Sequence, residues 1–169
     1  RMTQKKPEMA IERCYTHLKL LPKSHFIYNL LGELYLTQKN GDKAEESFKT
    51  AIQLNPQFIS PYFGLGRLYY STGRSDNAIK EFQAALKVNP KLLQAYMLLG
   101  TLYESQGKFE DAIKIYQEGM KINPDFAPIA NNLAYLYTER GENIDEALAM
   151  AEKIREKNSY TLIHILFLN

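Results

Sequence analysis

A chain of 169 residues with 45% hydrophobic and 24% charged residues is long enough to bury a core and too apolar to stay disordered. Its 21 Lys and Arg against 19 Asp and Glu leave a formal charge of +2, and the basic residues are scattered, the densest group being Lys5-Lys6 beside Arg1. That argues against nucleic acid as a partner, which needs concentrated positive charge. No apolar run approaches the ~20 residues of a membrane span, and Cys14, the only cysteine, excludes an internal disulfide.

The sequence matches itself at a step of 34 residues (Tyr28 to Tyr62, for instance), and its elements follow from that register. The opening Arg1-Met2 reads as the start of a fragment, so the lack of a leader carries no information. Within residues 1–23, positions 7–21 read as a lone helix, an incomplete copy. Ala10 and Pro22 keep their spacing with Ala44 and Pro56, while Cys14 and His17 stand where later copies carry an aromatic residue and alanine. Residues 24–57 form the first full copy, carrying Tyr28, Leu31, Gly32, Tyr35, Ala44, Phe48, Ala51 and Pro56. Residues 58–91 repeat it as Tyr62, Leu65, Gly66, Tyr69, Ala78, Phe82, Ala85 and Pro90. Residues 92–125 repeat it again as Tyr96, Leu99, Gly100, Tyr103, Ala112, Tyr116, Gly119 and Pro124. Residues 126–159 keep Ala130, Leu133, Ala134 and Tyr137, and keep Ala147 if one residue is inserted after Gly141. Their ending is Asn158-Ser159 instead of Asn-Pro. The tail, 160–169, reads as the opening of a fifth copy, with Ile165 and Leu168 where Tyr28 and Leu31 fall.

Each copy reads as two helices, because its apolar positions recur at steps of three and four. Turn residues separate them: Lys39-Asn40-Gly41, Thr72-Gly73-Arg74 and Gln106-Gly107-Lys108. Asn55-Pro56, Asn89-Pro90 and Asn123-Pro124 end the second helices, since the residue before proline is pushed out of the helical region. Asparagine there also tolerates the left-handed conformation common past a helix end. Asp42, Asp76, Glu110 and Asp111 open the second helices, where the dipole favours negative charge. Gly32, Gly66 and Gly100 sit inside the first helices at a cost of about 1 kcal/mol each relative to alanine. Their expected partners are Ala44, Ala78 and Ala112, two small residues letting the helix axes approach while the aromatic residue four positions on fills the adjoining gap.

This pattern resembles the tetratricopeptide repeat, with Tyr116 for the usual phenylalanine and Gly119 for the usual alanine. The resemblance implies an all-α fold: a right-handed α-solenoid of antiparallel helix pairs, about four repeats plus a partial repeat at each end, in a single domain over residues 1–169. It also implies a non-catalytic scaffold that holds a peptide segment of a protein partner in a concave groove lined by first helices. Removing the core positions from each first helix leaves Asn29, Glu33 and Leu36; Phe63, Arg67 and Tyr70; Met97, Thr101 and Glu104; and Asn131, Tyr135 and Thr138 on the open face. Phe63, Tyr70, Met97 and Tyr135 are the expected anchors, and Arg67, Glu104 and Asn131 the groups fixing polarity. Asn29, Asn131 and Asn132 partly match the asparagine-lined grooves that hold peptide backbone in other family members. The clamp that some members close on an acidic chain terminus is not matched, since its positions carry Asn29, Glu33, Gly64, Gln94 and Leu98. The segment NNLAYLYTERGENIDEALAMAEK resembles terminal copies of bacterial relatives, which occur in both cytoplasm and cell envelope.

No catalytic residue, metal or cofactor is expected. Gly64-Leu65-Gly66 lacks the strand and third glycine of a nucleotide loop. His17, His25 and His164 have no partners at ligand spacing, and Cys14 sits where a small buried hydrophobe is needed. The incomplete opening copy supplies only a second helix, whose missing partner leaves one side of Ala10 and Cys14 uncovered, and Leu162, Ile163, Ile165, Leu166, Phe167 and Leu168 make an apolar finish. These ends are expected either to continue a longer array or to pair copies into a homo-oligomer. An alternative role is the regulatory or substrate-docking arm of a larger enzyme.

Overall fold

The computed structural model describes residues 5–167 of the chain, with side chains described within 6–157. The described elements are all helices: α1 (Lys5–Leu20), α2 (His25–Thr37), α3 (Gly41–Leu54), α4 (Ser60–Ser71), α5 (Ser75–Val88), α6 (Leu93–Ser105), α7 (Phe109–Ile122), α8 (Ala127–Arg140) and α9 (Ile144–Phe167). The chain divides after Pro90 into two compact units. In the first, α2 pairs with α3 and α4 with α5; α3 packs against α4, α2 against α4, and α1 covers part of α2. In the second, α6 pairs with α7 and α8 with α9, with α7 packed on α8 and α6 touching α8. Each unit is therefore a run of helix pairs in the α-solenoid manner.

The second helices α3, α5 and α7 end at Leu54, Val88 and Ile122, one residue before each Asn-Pro. The asparagines do not use the left-handed conformation that they tolerate. Asn55, Asn89 and Asn123 are extended, with φ of −147°, −138° and −144°, because the following proline forces that region. Their side chains carry the preference instead: Asn55 Oδ1 accepts from the Gln57 N–H at 3.1 Å and Asn123 Oδ1 from that of Asp125 at 2.9 Å. The left-handed residues lie in the turns inside the pairs, at Lys39, Gly73, Gly107, Gly141 and Asn143. The expected break near residue 159 is also missing. Ser159 cannot stop a helix as proline does, and α9 runs unbroken through Phe167, so the tail opens no separate helix. The side chains of the apolar finish, and Leu168 and Asn169 altogether, lie outside the described residues.

The recurring glycines serve rings rather than alanines. A Cβ on Gly32 would come within 2.5 Å of the Phe48 ring, and one on Gly66 within 2.5 Å of the Phe82 ring; one on Gly100 would overlap the Tyr116 ring. Ala44, Ala78 and Ala112 are fully buried beside them, yet the atoms nearest each glycine belong to the aromatic residue four positions further on. Gly64 opens a second notch onto the Phe48 ring, so that ring is held between the backbones of α2 and α4. The same side chain thus closes one helix pair and joins it to the next.

A polar knot reinforces this joint. Glu45 of α3 receives the Tyr69 hydroxyl at 2.9 Å, Lys49 at 2.7 Å and Arg74 at 2.9 Å, and Arg74 lies over the Tyr69 ring. Burial opposes the charge on Glu45, but the hydrogen bonds from Lys49, Tyr69 and Arg74 outweigh it and hold the carboxyl at about 2. A carboxyl lowered on folding contributes stability above its unfolded value near 4.5 and loses it as pH falls toward 2. Glu81 of α5 works the other way, since burial raises it. Comparison with Glu45→Gln isolates the Glu45 share: the variant should be less stable than the parent by about 2 kcal/mol at pH 7. That difference should close between pH 4.5 and 2 in urea titrations. A pH-independent difference would refute the assignment.

Candidate functional site

On the open face of the first unit, Glu33 of α2 and Arg67 of α4 form an ion pair, with Arg67 Nη2 at 2.5 and 2.7 Å from the two carboxylate oxygens. Both side chains are largely solvated, so the pair adds little stability. Its consequence is that Arg67 is already engaged, not a free donor as its sequence position suggests. Asn29 is half-buried, with Oδ1 lacking a partner among the described residues. Phe63 is also half-buried and sets its ring edge-on to Phe82, centroids 5.4 Å apart. Part of Phe63, an expected anchor, is therefore committed to the core. Tyr70 is 54% exposed.

The second unit gathers more of the predicted residues. Tyr116 is buried in α7 to the last fraction of its surface, and its hydroxyl emerges against α6 and α8. It donates to Glu104 and lies 3.3 Å from the Thr101 hydroxyl, while Asn132 Nδ2 donates to it at 3.1 Å. Burial, followed by the bond to Glu104, raises the phenol strongly, so it stays a proton donor. Three residues expected to contact a peptide thus converge on one hydroxyl. Met97 is half-buried, Asn131 is exposed, and Tyr135 is 59% exposed. In the repeat pattern Tyr116 stands only as a substitute for the usual phenylalanine. The signal was present: the one tyrosine at this position is paired with Asn132, where the two preceding copies place Gly64 and Leu98.

Beside this cluster lies an open depression of about 590 Å³. Thr101, Glu104, Phe109, Tyr135, Glu139 and Arg140 are among the residues lining it. The guanidinium of Arg140 is taken by Glu110 at 2.8 Å and Glu142 at 3.1 Å. In the first unit a second opening of about 450 Å³, with apolar walls, is lined by residues including Met9, Ala10, Cys14, Ile27 and Leu30. Cys14 itself is buried, which raises its thiol. His25 bonds Asn55 at 3.2 Å and packs on Phe26 and Phe58. Among the described residues no group of acidic, histidine or cysteine side chains could hold a metal, and no helix is long and apolar enough to cross a membrane.

Tetratricopeptide repeat family models match residues 25–58, 63–128 and 103–159. With the helix pairs and their glycine–ring contacts, these matches define the class: the chain belongs to the tetratricopeptide repeat family. Among solved structures it is similar to one described as the crystal structure of MamA, at 27% identity over 95% of this chain and 94% of that chain, with a TM-score of 0.78. A second MamA protein structure aligns at 27% identity over 94% of this chain and 86% of that one, with a TM-score of 0.74. MamA residues 41 to the end from Desulfovibrio magneticus RS-1 shares 16% identity over 94% and 89% of the two chains at a TM-score of 0.73, a likeness of fold alone. A search of curated protein sequences found no significant match.

Proposed function

We propose that this protein is a non-catalytic interaction scaffold whose first helices hold a peptide segment of a protein partner. The observation that carries the reading is the exposure of Tyr70 and Tyr135, at 54% and 59%, on the open faces of α4 and α8. Large aromatics left in water without a core role are characteristic of surfaces that bind other proteins. Polar groups flank each: the Glu33–Arg67 pair beside Tyr70, and the Thr101, Glu104, Asn132 and Tyr116 cluster near Tyr135. In this reading Arg67 must exchange Glu33 for a partner group, or present the pair as a unit. Met97 and Phe63 contribute apolar contact, and Asn29 and Asn131 contact backbone. The test is capture from a lysate of the source cells on the immobilised chain, with mass spectrometry. Replacing Arg67 and Tyr70 together by alanine should abolish capture of the partner while helicity by circular dichroism is kept. Undiminished capture would remove the first unit's face from the proposal.

A second reading, self-association, is favoured by the uncovered opening between α1 and α2, where Met9 and Leu30 are exposed, and by a separate apolar depression that includes exposed Leu20, Leu21 and Phe26. Light scattering after chromatography should then give a mass above 19.5 kDa that falls on dilution. A monomer at every concentration overturns it.

A further inference from the structure

The depression in the second unit has an uncompensated charge. Of its lining residues, Glu104 and Glu139 are acidic and Arg140 is basic. Arg140 is neutralised from outside the depression by Glu110 and Glu142. Glu104 gives its Oε1 to the Tyr116 hydroxyl, but its Oε2 accepts no hydrogen bond among the described residues. Glu139 makes no ion pair among them either, and is exposed. Two aromatic rings stand at the same place, Phe109 at 39% and Tyr135 at 59% exposure. The first unit differs at the matching repeat positions, where Arg67 answers Glu33 across the face. In the second unit those positions carry Thr101 and Tyr135, and among the described residues neither Glu104 nor Glu139 is paired with a base, Arg140 being taken by Glu110 and Glu142.

We propose that the depression beside α6 and α8 receives a basic side chain, arginine above all, from the bound segment of the protein partner. Glu104 and Glu139 serve as counter-ions, and Tyr135 is the ring on which the guanidinium lies. This assignment rests on the reading of the α6 and α8 face as a peptide-binding face, and adds the chemical class of what it takes. The chemistry is complementary at each point. A guanidinium offers a planar fork of donors to free carboxylate oxygens, and its face is drawn to a tyrosine ring. The attraction is local, since the chain as a whole carries +2 and repels a basic peptide weakly. The Tyr116 bond holds Glu104 in place before the ligand arrives.

The test uses the intact isotope-labelled chain and short capped peptides of leucine and glycine in which the remaining positions are all arginine, all glutamine or all glutamate. The arginine peptide should bind, shifting the amide resonances of Thr101, Glu104 and Tyr135, while the glutamate peptide should not. Glu104→Gln with Glu139→Gln should weaken the arginine peptide at least about tenfold; glutamine at 104 can still accept from Tyr116, so folding is spared. Glu152→Gln with Glu156→Gln, on the exposed side of α9, should leave binding unchanged. Equal binding of the glutamine or glutamate peptide at these resonances overturns the basic-ligand assignment and leaves the peptide-binding face standing. So does arginine-peptide binding that ignores the loss of both charges. If no peptide shifts α6 or α8, the assignment and the peptide-binding reading of this face fall together.

Discussion

Phe48→Ala should cost about 4 kcal/mol, well within the range for a buried aromatic residue. The ring is fully buried and faces two glycines, Gly32 on α2 and Gly64 on α4. Truncation leaves a hole whose walls on both sides are helix backbone without side chains. Such walls cannot lean in, so the cavity term stays large. The loss should appear as a lowered urea midpoint by circular dichroism, with the unfolding slope broadened as the first unit melts ahead of the second. Adding Gly64→Ala to Phe48→Ala should recover about 1 kcal/mol, because the new methyl enters the vacated space. In the parent background the same methyl would collide with the ring. A Phe48→Ala loss below 1 kcal/mol, or no recovery from the second change, would show that the ring is not the joint between helix pairs.

Gly66→Leu should cost about 3 kcal/mol by overpacking. A Cβ there would already come within 2.5 Å of the Phe82 ring, and the rest of the leucine has nowhere to go. Phe82 cannot yield freely, because its ring is also packed edge-on with that of Phe63, centroids 5.4 Å apart. The two effects should couple: in the Phe82→Ala background Gly66→Leu should be far less damaging, giving a clear interaction energy in a double-mutant cycle. An unchanged melting midpoint for Gly66→Leu, or strict additivity with Phe82→Ala, would refute the glycine–ring contact.

Much of this fold is legible in the sequence. The stride of 34 residues, the paired helices and the ends at Asn-Pro all follow from local chemistry. Ala147 could be placed across an inserted residue, and it is buried. Where local chemistry was read too simply, the structure departs from it. Asparagine 55 is chosen for its side-chain bond to Gln57 and not for a left-handed backbone. The helix at Asn158-Ser159 continues because nothing there forbids it. The open-face residues could be found by elimination, but elimination finds positions and not their partners. Arg67 belongs to Glu33, one full copy earlier. Asn132 and Glu104 belong to Tyr116, a residue of the second helix that elimination never considered.

What the sequence by itself determined is the repeating helix pair, because apolar period, turn residues and proline act within a few residues of themselves. What only the tertiary structure decided is the use made of the small and polar positions: which ring each glycine admits, and which charges are already answered. Those depend on side chains brought in from the partner helix or the next copy. The packed distance between helices, not the spacing along the chain, selects which groups meet.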